Sequence, residues 1–118
     1  MSWMETPLLQ RMERFLDMAS VRQSLVSSNI ANVDTPGYRT RDIDFEKEMQ
    51  RAFAAPDSPP EPNVREIHGL IERPDGNNVS IDRETMLLAQ TQLQFQTGIA
   101  LLKSEFKRLT TAITEGKS

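Results

Sequence analysis

Residues Ile81, Thr85, Leu88, Gln92, Phe95, Ile99, Leu102, Phe106, Leu109 and Ile113 follow one another at steps of four and three, and eight of the ten are apolar. The seam predicts a single helix over residues 80–115. Ser80 stands at its cap position, Asp82 and Glu84 fall in its first turn, and Lys103, Lys107 and Arg108 lie toward its end, as the helix dipole favours. At about 1.5 Å per residue such a helix runs roughly 50 Å, whereas a compact domain of this size has a radius of gyration of about 13 Å. A chain of 118 residues that holds it has to be elongated.

A second seam runs through Leu9, Met12, Leu16, Ala19, Gln23, Val26, Ile30 and Val33 and predicts an N-terminal helix over residues 7–33. Thr6 suits its cap and Pro7 its first position, where a missing N–H costs nothing. Leu8, Phe15 and Leu25 widen the apolar face beyond a two-stranded stripe, so this helix needs more than one neighbour. If the two helices pack antiparallel with Val33 beside Ile81, opposed residue numbers sum to about 115 at equal rise. Gln23 then meets Gln92, Ala19 meets Phe95, Leu16 meets Ile99 and Leu9 meets Phe106.

Between the seams the character of the sequence changes. Residues 34–53 hold a turn followed by a short helix, Asp42 to Phe53, with Phe45, Met49 and Phe53 on one face. Residues 54–79 read as a flexible linker, because AAPDSPPEPN contains four of the seven prolines. Within it Asp75-Gly76-Asn77-Asn78 is a turn signal compatible with a small hairpin. The fold class expected is all-α: one elongated domain, residues 1–118, built as an antiparallel coiled-coil hairpin of N- and C-terminal helices with a turn motif, a short helix and a flexible middle segment.

Several functional classes fall away. Lysine and arginine number 14 against 17 acids, with the excess acid between Asp57 and Asp75, so no basic stripe marks a nucleic-acid partner. With no cysteine, disulfide scaffolds, zinc ribbons and thiol nucleophiles are excluded. Residues Thr85 to Leu102 carry no charge over 18 positions, yet six Gln and Thr side chains between Gln90 and Thr97 make them too polar for a membrane span. Glu5, Arg11, Glu13 and Arg14 interrupt the apolar region a cleaved signal peptide would need. His68 has no neighbour at ligand or triad spacing and reads as a loop histidine. Asp42, Asp44, Glu46 and Glu48 lack the glycine and terminal glutamate of an EF-hand and read as a helix start. Asn78-Val79-Ser80 fits a glycosylation sequon, but Ser80 is better used as a cap. No P-loop, dinucleotide fingerprint or nucleophile elbow occurs, so no catalytic residue, metal ligand or cofactor is assigned.

The most informative segment is Ser27 to Tyr38, SSNIANVDTPGY. Pro36 drives Thr35 toward extended backbone, and Pro36-Gly37 suits the centre of a type II turn, so the first helix has to end near Asn32 to Asp34. Asn32 and Asp34 can bond backbone groups at that end, and Tyr38 sets an amphipathic ring just beyond it.

This stretch and its continuation, SSNIANVDTPGYRTRDIDF, resemble the signature that follows the first helix in bacterial flagellar rod, hook and related axial proteins. DGNNVSIDRE, QLQFQTGIALL and KSEFKRL extend the resemblance to the C-terminal helix, nearest to the proximal-rod members. The motif residues are Asn29, Ala31, Asn32, Asp34, Thr35, Pro36, Gly37 and Tyr38. The resemblance implies a structural subunit of the basal-body rod, the drive shaft that crosses the periplasm, exported by the flagellar type III apparatus without a cleaved signal peptide. It also implies contacts with further copies, with other rod proteins and with a FliE-type adaptor at the rod–ring junction. The residues alone point the same way: two wide apolar faces exceed what one hairpin buries, and heterologous contacts between identical copies propagate as helical assemblies. A soluble coiled-coil adaptor or export chaperone would use the same seams and is the alternative.

Overall fold

The structure, a computed structural model, describes residues 6–116; Glu5 lies outside them. Three helices and a small sheet follow in the order α1 (Pro7–Ala31), β1 (Arg41–Asp42), α2 (Phe45–Ala54), β2 (Arg65–Glu66) and α3 (Ile81–Gly116). The chain is therefore mostly helical rather than all-α.

Each helix starts where local chemistry directs it. The Thr6 hydroxyl accepts the Leu9 N–H at 3.1 Å and Pro7 opens α1. Asp44 caps α2 by accepting from Lys47 at 3.2 Å, and Ser80 caps α3 by accepting from Arg83 at 3.2 Å. α1 stops at Ala31, two residues short of position 33, with Asn32 as its C-cap. α2 begins at Phe45 and not at Asp42, because Arg41 and Asp42 are taken up by β1.

α1 and α3 lie antiparallel: Asn29 meets Glu84 near one end, and Leu16 packs where Gly98 presents no side chain. These opposed numbers add to 113 and 114, close to the register expected, but the face α3 turns inward is rotated. Its buried residues are Glu84, Leu87, Thr91, Gly98 and Glu105, with Leu88, Phe95, Leu102 and Leu109 half-buried beside them. The other six positions of the expected seam, Ile81, Thr85, Gln92, Ile99, Phe106 and Ile113, are exposed. On α1, Leu9, Ala19 and Val26 are buried and Met12, Leu16 and Ile30 half-buried, whereas Gln23 is exposed. The buried Gln23–Gln92 pair expected from the sequence is thus absent; both amides face water. The physical reason lies at Gly98, where a Cβ would stand 2.7 Å from Leu16 Cδ2. A small residue admits the partner helix, and the bulkier Ile99 and Phe106 are left on the flank.

α2 packs against α1 and completes a small apolar core of Met18, Ile43 and Met49, flanked by Phe15, Val21, Leu25 and Phe45. Phe15 and Phe45 meet edge to face with centroids 5.6 Å apart.

The expected flexible linker over residues 54–79 is instead largely tied down. β2 pairs antiparallel with β1, Arg41 opposite Glu66 and Asp42 opposite Arg65. The Asn63 N–H donates to Glu48 at 3.0 Å, and the Ile67 N–H to the Thr40 carbonyl at 2.9 Å. The turn signal at Asp75-Gly76 does close a turn, with Gly76 N–H on the Arg73 carbonyl at 2.8 Å. It does not fold into a local hairpin, because β2 finds its partner across the molecule.

The whole measures 70 × 25 × 18 Å with a radius of gyration of 18.4 Å, so it is elongated as its longest helix requires. By the observed register α3 outruns α1, and residues 110–116 are exposed throughout.

Candidate functional site

The turn motif sits at the end of the molecule where α1 stops and α3 starts. The Tyr38 N–H closes on the Thr35 carbonyl at 3.2 Å, and Gly37 takes φ +76°, as the second central position of a type II turn requires. Gly37 then donates its N–H to the Asp75 carbonyl at 2.9 Å. A Cβ on Gly76, whose φ is +86°, would touch Gly37 Cα at 3.6 Å, so the two turns face each other closely. The sequence reading located the first turn but not the second as its counterpart.

Four asparagines hold this junction. Asn29, buried on α1, uses its full capacity: its amide donates to the Arg41 carbonyl at 2.9 Å and to Glu84, and its Oδ1 accepts from Tyr38 at 2.9 Å and from the Arg41 N–H at 3.2 Å. Asn32 donates back to the Ser28 carbonyl at 2.8 Å and accepts the Thr35 hydroxyl at 3.0 Å. Asn77 reaches across from the far turn to bond the Asn32 and Thr35 carbonyls at 2.9 and 2.8 Å. Asn78 accepts the Thr40 N–H at 2.6 Å and donates to the Ile67 carbonyl at 3.2 Å. The Ser28 carbonyl in the last turn of α1 and the Asn32 and Thr35 carbonyls beyond it thereby receive side-chain donors.

A charged cluster adjoins the amides. Arg22 holds Asp42 through two bonds of 3.2 and 3.0 Å, and Arg83 bonds Asp42 at 2.7 Å and Glu84 at 2.8 Å. Asp42 and Glu84 are almost wholly buried, a state carboxylates sustain only when paired in this way. One cluster therefore joins α1, β1 and α3.

Of the motif residues, the structure gathers Asn29, Asn32, Thr35, Gly37 and Tyr38 into this clasp. Ala31, Asp34 and Pro36 are exposed around it. Arg22, Thr40, Asp42, Asn77, Asn78, Arg83 and Glu84 belong to the same clasp; all but Arg22 fall within the stretches that carry the family resemblance, but their partners lie up to 55 residues away and hydrogen bonding leaves no periodic trace. From the residues alone Asp42 reads as a helix start, Glu84 as a first-turn acid and Asn77-Asn78 as a turn, whereas Asp42 and Glu84 are buried in one network.

Chemically the clasp can hold geometry and little else, since its buried side chains satisfy one another. His68 is exposed, and among the described residues no group of acids and histidines is disposed to bind a metal ion. No described helix is long and apolar enough to cross a membrane.

A family model described as flagella basal body rod protein matches residues 16–39, which run from the middle of α1 through the turn to the clasp. Flagellar basal body rod protein FlgB of Escherichia coli is 33% identical, over 92% of this chain and 94% of its own length. FlgB of Bacillus subtilis is 29% identical over 92% of this chain and 95% of its own, and FlgB of Salmonella typhimurium 29% over 92% and 94%. By this similarity along nearly its whole length, the chain belongs to the FlgB family of flagellar basal body rod proteins, a structural family and not an enzymatic one.

Proposed function

We propose that the chain is a subunit of the flagellar rod, assembling through its long helices into the drive shaft that crosses the periplasm, and that its helix pair continues as a coiled coil within that assembly. The observation that carries this reading is the surface of α3. Residues 85–102 bear no charge on any face, and Met86 and Leu93 are 62% and 63% exposed on a helix whose other side is already packed against α1. A helix destined for water places charges there; a helix enclosed by neighbours gains from leaving them out, since amides and methyl groups desolvate at far lower cost than ions.

In this reading the partners are further copies, other rod proteins and a FliE-type adaptor at the base. Delivery runs through the flagellar type III apparatus without cleavage of a signal peptide. The turn motif and clasp fix the angle at which the middle segment leaves the helix pair, and so the shape each copy presents to the next.

Leu93→Glu tests the reading. The exposed substitution is expected to leave the helicity of the purified chain unchanged and to abolish swimming when it replaces the native gene. Swimming at the native rate would reject enclosure of α3. Recovery of the chain only in the cytosol, bound to one client, would favour the adaptor or export-chaperone alternative.

A further inference from the structure

Ile71 is 91% exposed, more than any other large apolar side chain among the described residues, on a segment that is otherwise well anchored. Upstream, Ile67 is held from both sides, its N–H on the Thr40 carbonyl at 2.9 Å and its carbonyl under the Asn78 amide at 3.2 Å. Downstream, Glu72 bridges to Arg39, and Arg73 bonds Asn77 through its N–H at 2.8 Å and the Val33 carbonyl through its side chain. A bulky apolar side chain presented on a braced loop has the form of an anchor.

The same molecule carries a matching receptor. Pro7, Ala52, Phe53 and Pro56, together with Gln10, Arg11 and Arg14, line a mostly apolar cleft of about 140 Å³ between the start of α1 and the end of α2. Cavities of that order take a group the size of benzene. The Arg11 guanidinium lies over the Phe53 ring at 4.8 Å and forms no ion pair among the described residues. Glu72 uses one carboxylate oxygen on Arg39 and leaves the other open, next to Ile71 in the chain. Shape and charge thus match at two adjoining points.

The loop cannot reach the cleft of its own chain. Arg73 fixes it beside Val33, whereas the cleft lies at the first two turns of α1, a helix whose 25 residues span about 37 Å. Resting on the rod reading above, we propose that Ile71 seats in the cleft of a second copy of this chain, with Glu72 closing on that copy's Arg11. Each copy offers one anchor and one receptor at opposite ends of α1, so the contact is heterologous and adds copies head to tail without limit unless the rotation closes a ring.

The chain has no cysteine, which allows a direct test. Single variants Ile71→Cys and Pro56→Cys are co-expressed in cells lacking the native gene, and oxidation is followed on non-reducing gels. A mixed disulfide dimer is expected, absent when Ser20→Cys, exposed elsewhere on α1, replaces Pro56→Cys. Ile71→Asp, at a position that touches little of its own chain, is expected to keep native helicity by circular dichroism and to weaken self-association about tenfold or more. No mixed dimer in cells that swim would overturn the contact and leave the rod reading standing. A mixed dimer in cells whose swimming does not depend on this gene would uphold the contact and reject the rod reading.

Discussion

Asn29 makes four hydrogen bonds through one amide, and each of its partners is itself fixed by other bonds. Asn29→Ala would strand the Arg41 N–H and carbonyl and remove one partner each from Tyr38 and Glu84. A buried group left unsatisfied costs about 1–3 kcal/mol, so urea unfolding should show a loss of at least that size. Gly37 fails for a different reason when replaced. Nothing lies within 4 Å of a Cβ built there, so a side chain at Gly37 has room at its base and Gly37→Val is penalised through its φ of +76°, about 1–3 kcal/mol. The same measurement on Ser58→Val, at an exposed site whose side chain bonds nothing, should register little change. Such residues divide cleanly in how far a sequence betrays them. Thr6, Pro7 and Ser80 act on groups within four positions, and so does Gly37 in its own turn, so these roles can be read from neighbours. Asn77 and Glu84 act on groups 42 to 55 positions away, and only the folded chain brings those together.

At the level of elements, periodicity located both long helices and their antiparallel sense, and it misjudged which face α3 turns inward. Periodicity turns the column Thr85, Gln92, Ile99 and Phe106 inward, whereas packing follows Glu84, Thr91, Gly98 and Glu105, one position earlier in each heptad. Burial chose the small and the paired over the greasy, because Gly98 admits Leu16 and Glu84 already has its cation and amide. Gly98→Leu should accordingly destabilise the pair by about 1–3 kcal/mol through overpacking, while Gly98→Ala recovers up to about 1 kcal/mol of helix propensity and comes out nearer neutral in thermal melts. Further along α3, the Arg108 guanidinium hydrogen-bonds Glu105 and holds its carboxyl below the ordinary carboxylate value. A depressed folded pKa means the contribution is present above the ordinary value and is lost as pH falls through the depressed one. Acid titration by circular dichroism should show a small fall in helicity in that window, missing in Glu105→Gln. The middle segment was the least legible element: its prolines advertise a linker, and nothing in its composition reveals that Arg65 and Glu66 pair with Arg41 and Asp42.

The molecule as a whole is long and thin, 70 × 25 × 18 Å, and its core is correspondingly small. Such a body cannot bury both sides of α3, so its stability should depend on association with its own kind. Melting followed by circular dichroism over a hundredfold range of concentration is expected to show a rising midpoint and rising helicity; a midpoint independent of concentration would contradict this. The clasp binds α1, β1 and α3 together at one end by amides and ion pairs, while residues 110–116 of α3 run on with no described element beside them. Considered as a machine part, each copy is therefore graded along its axis, stiff at the clasped end and compliant at the free one. If copies stack as proposed, twist applied to the column would concentrate in the unbraced helix ends until a neighbour clamps them. Assembly of that kind would do more than lengthen the column: every added copy would stiffen the one already in place.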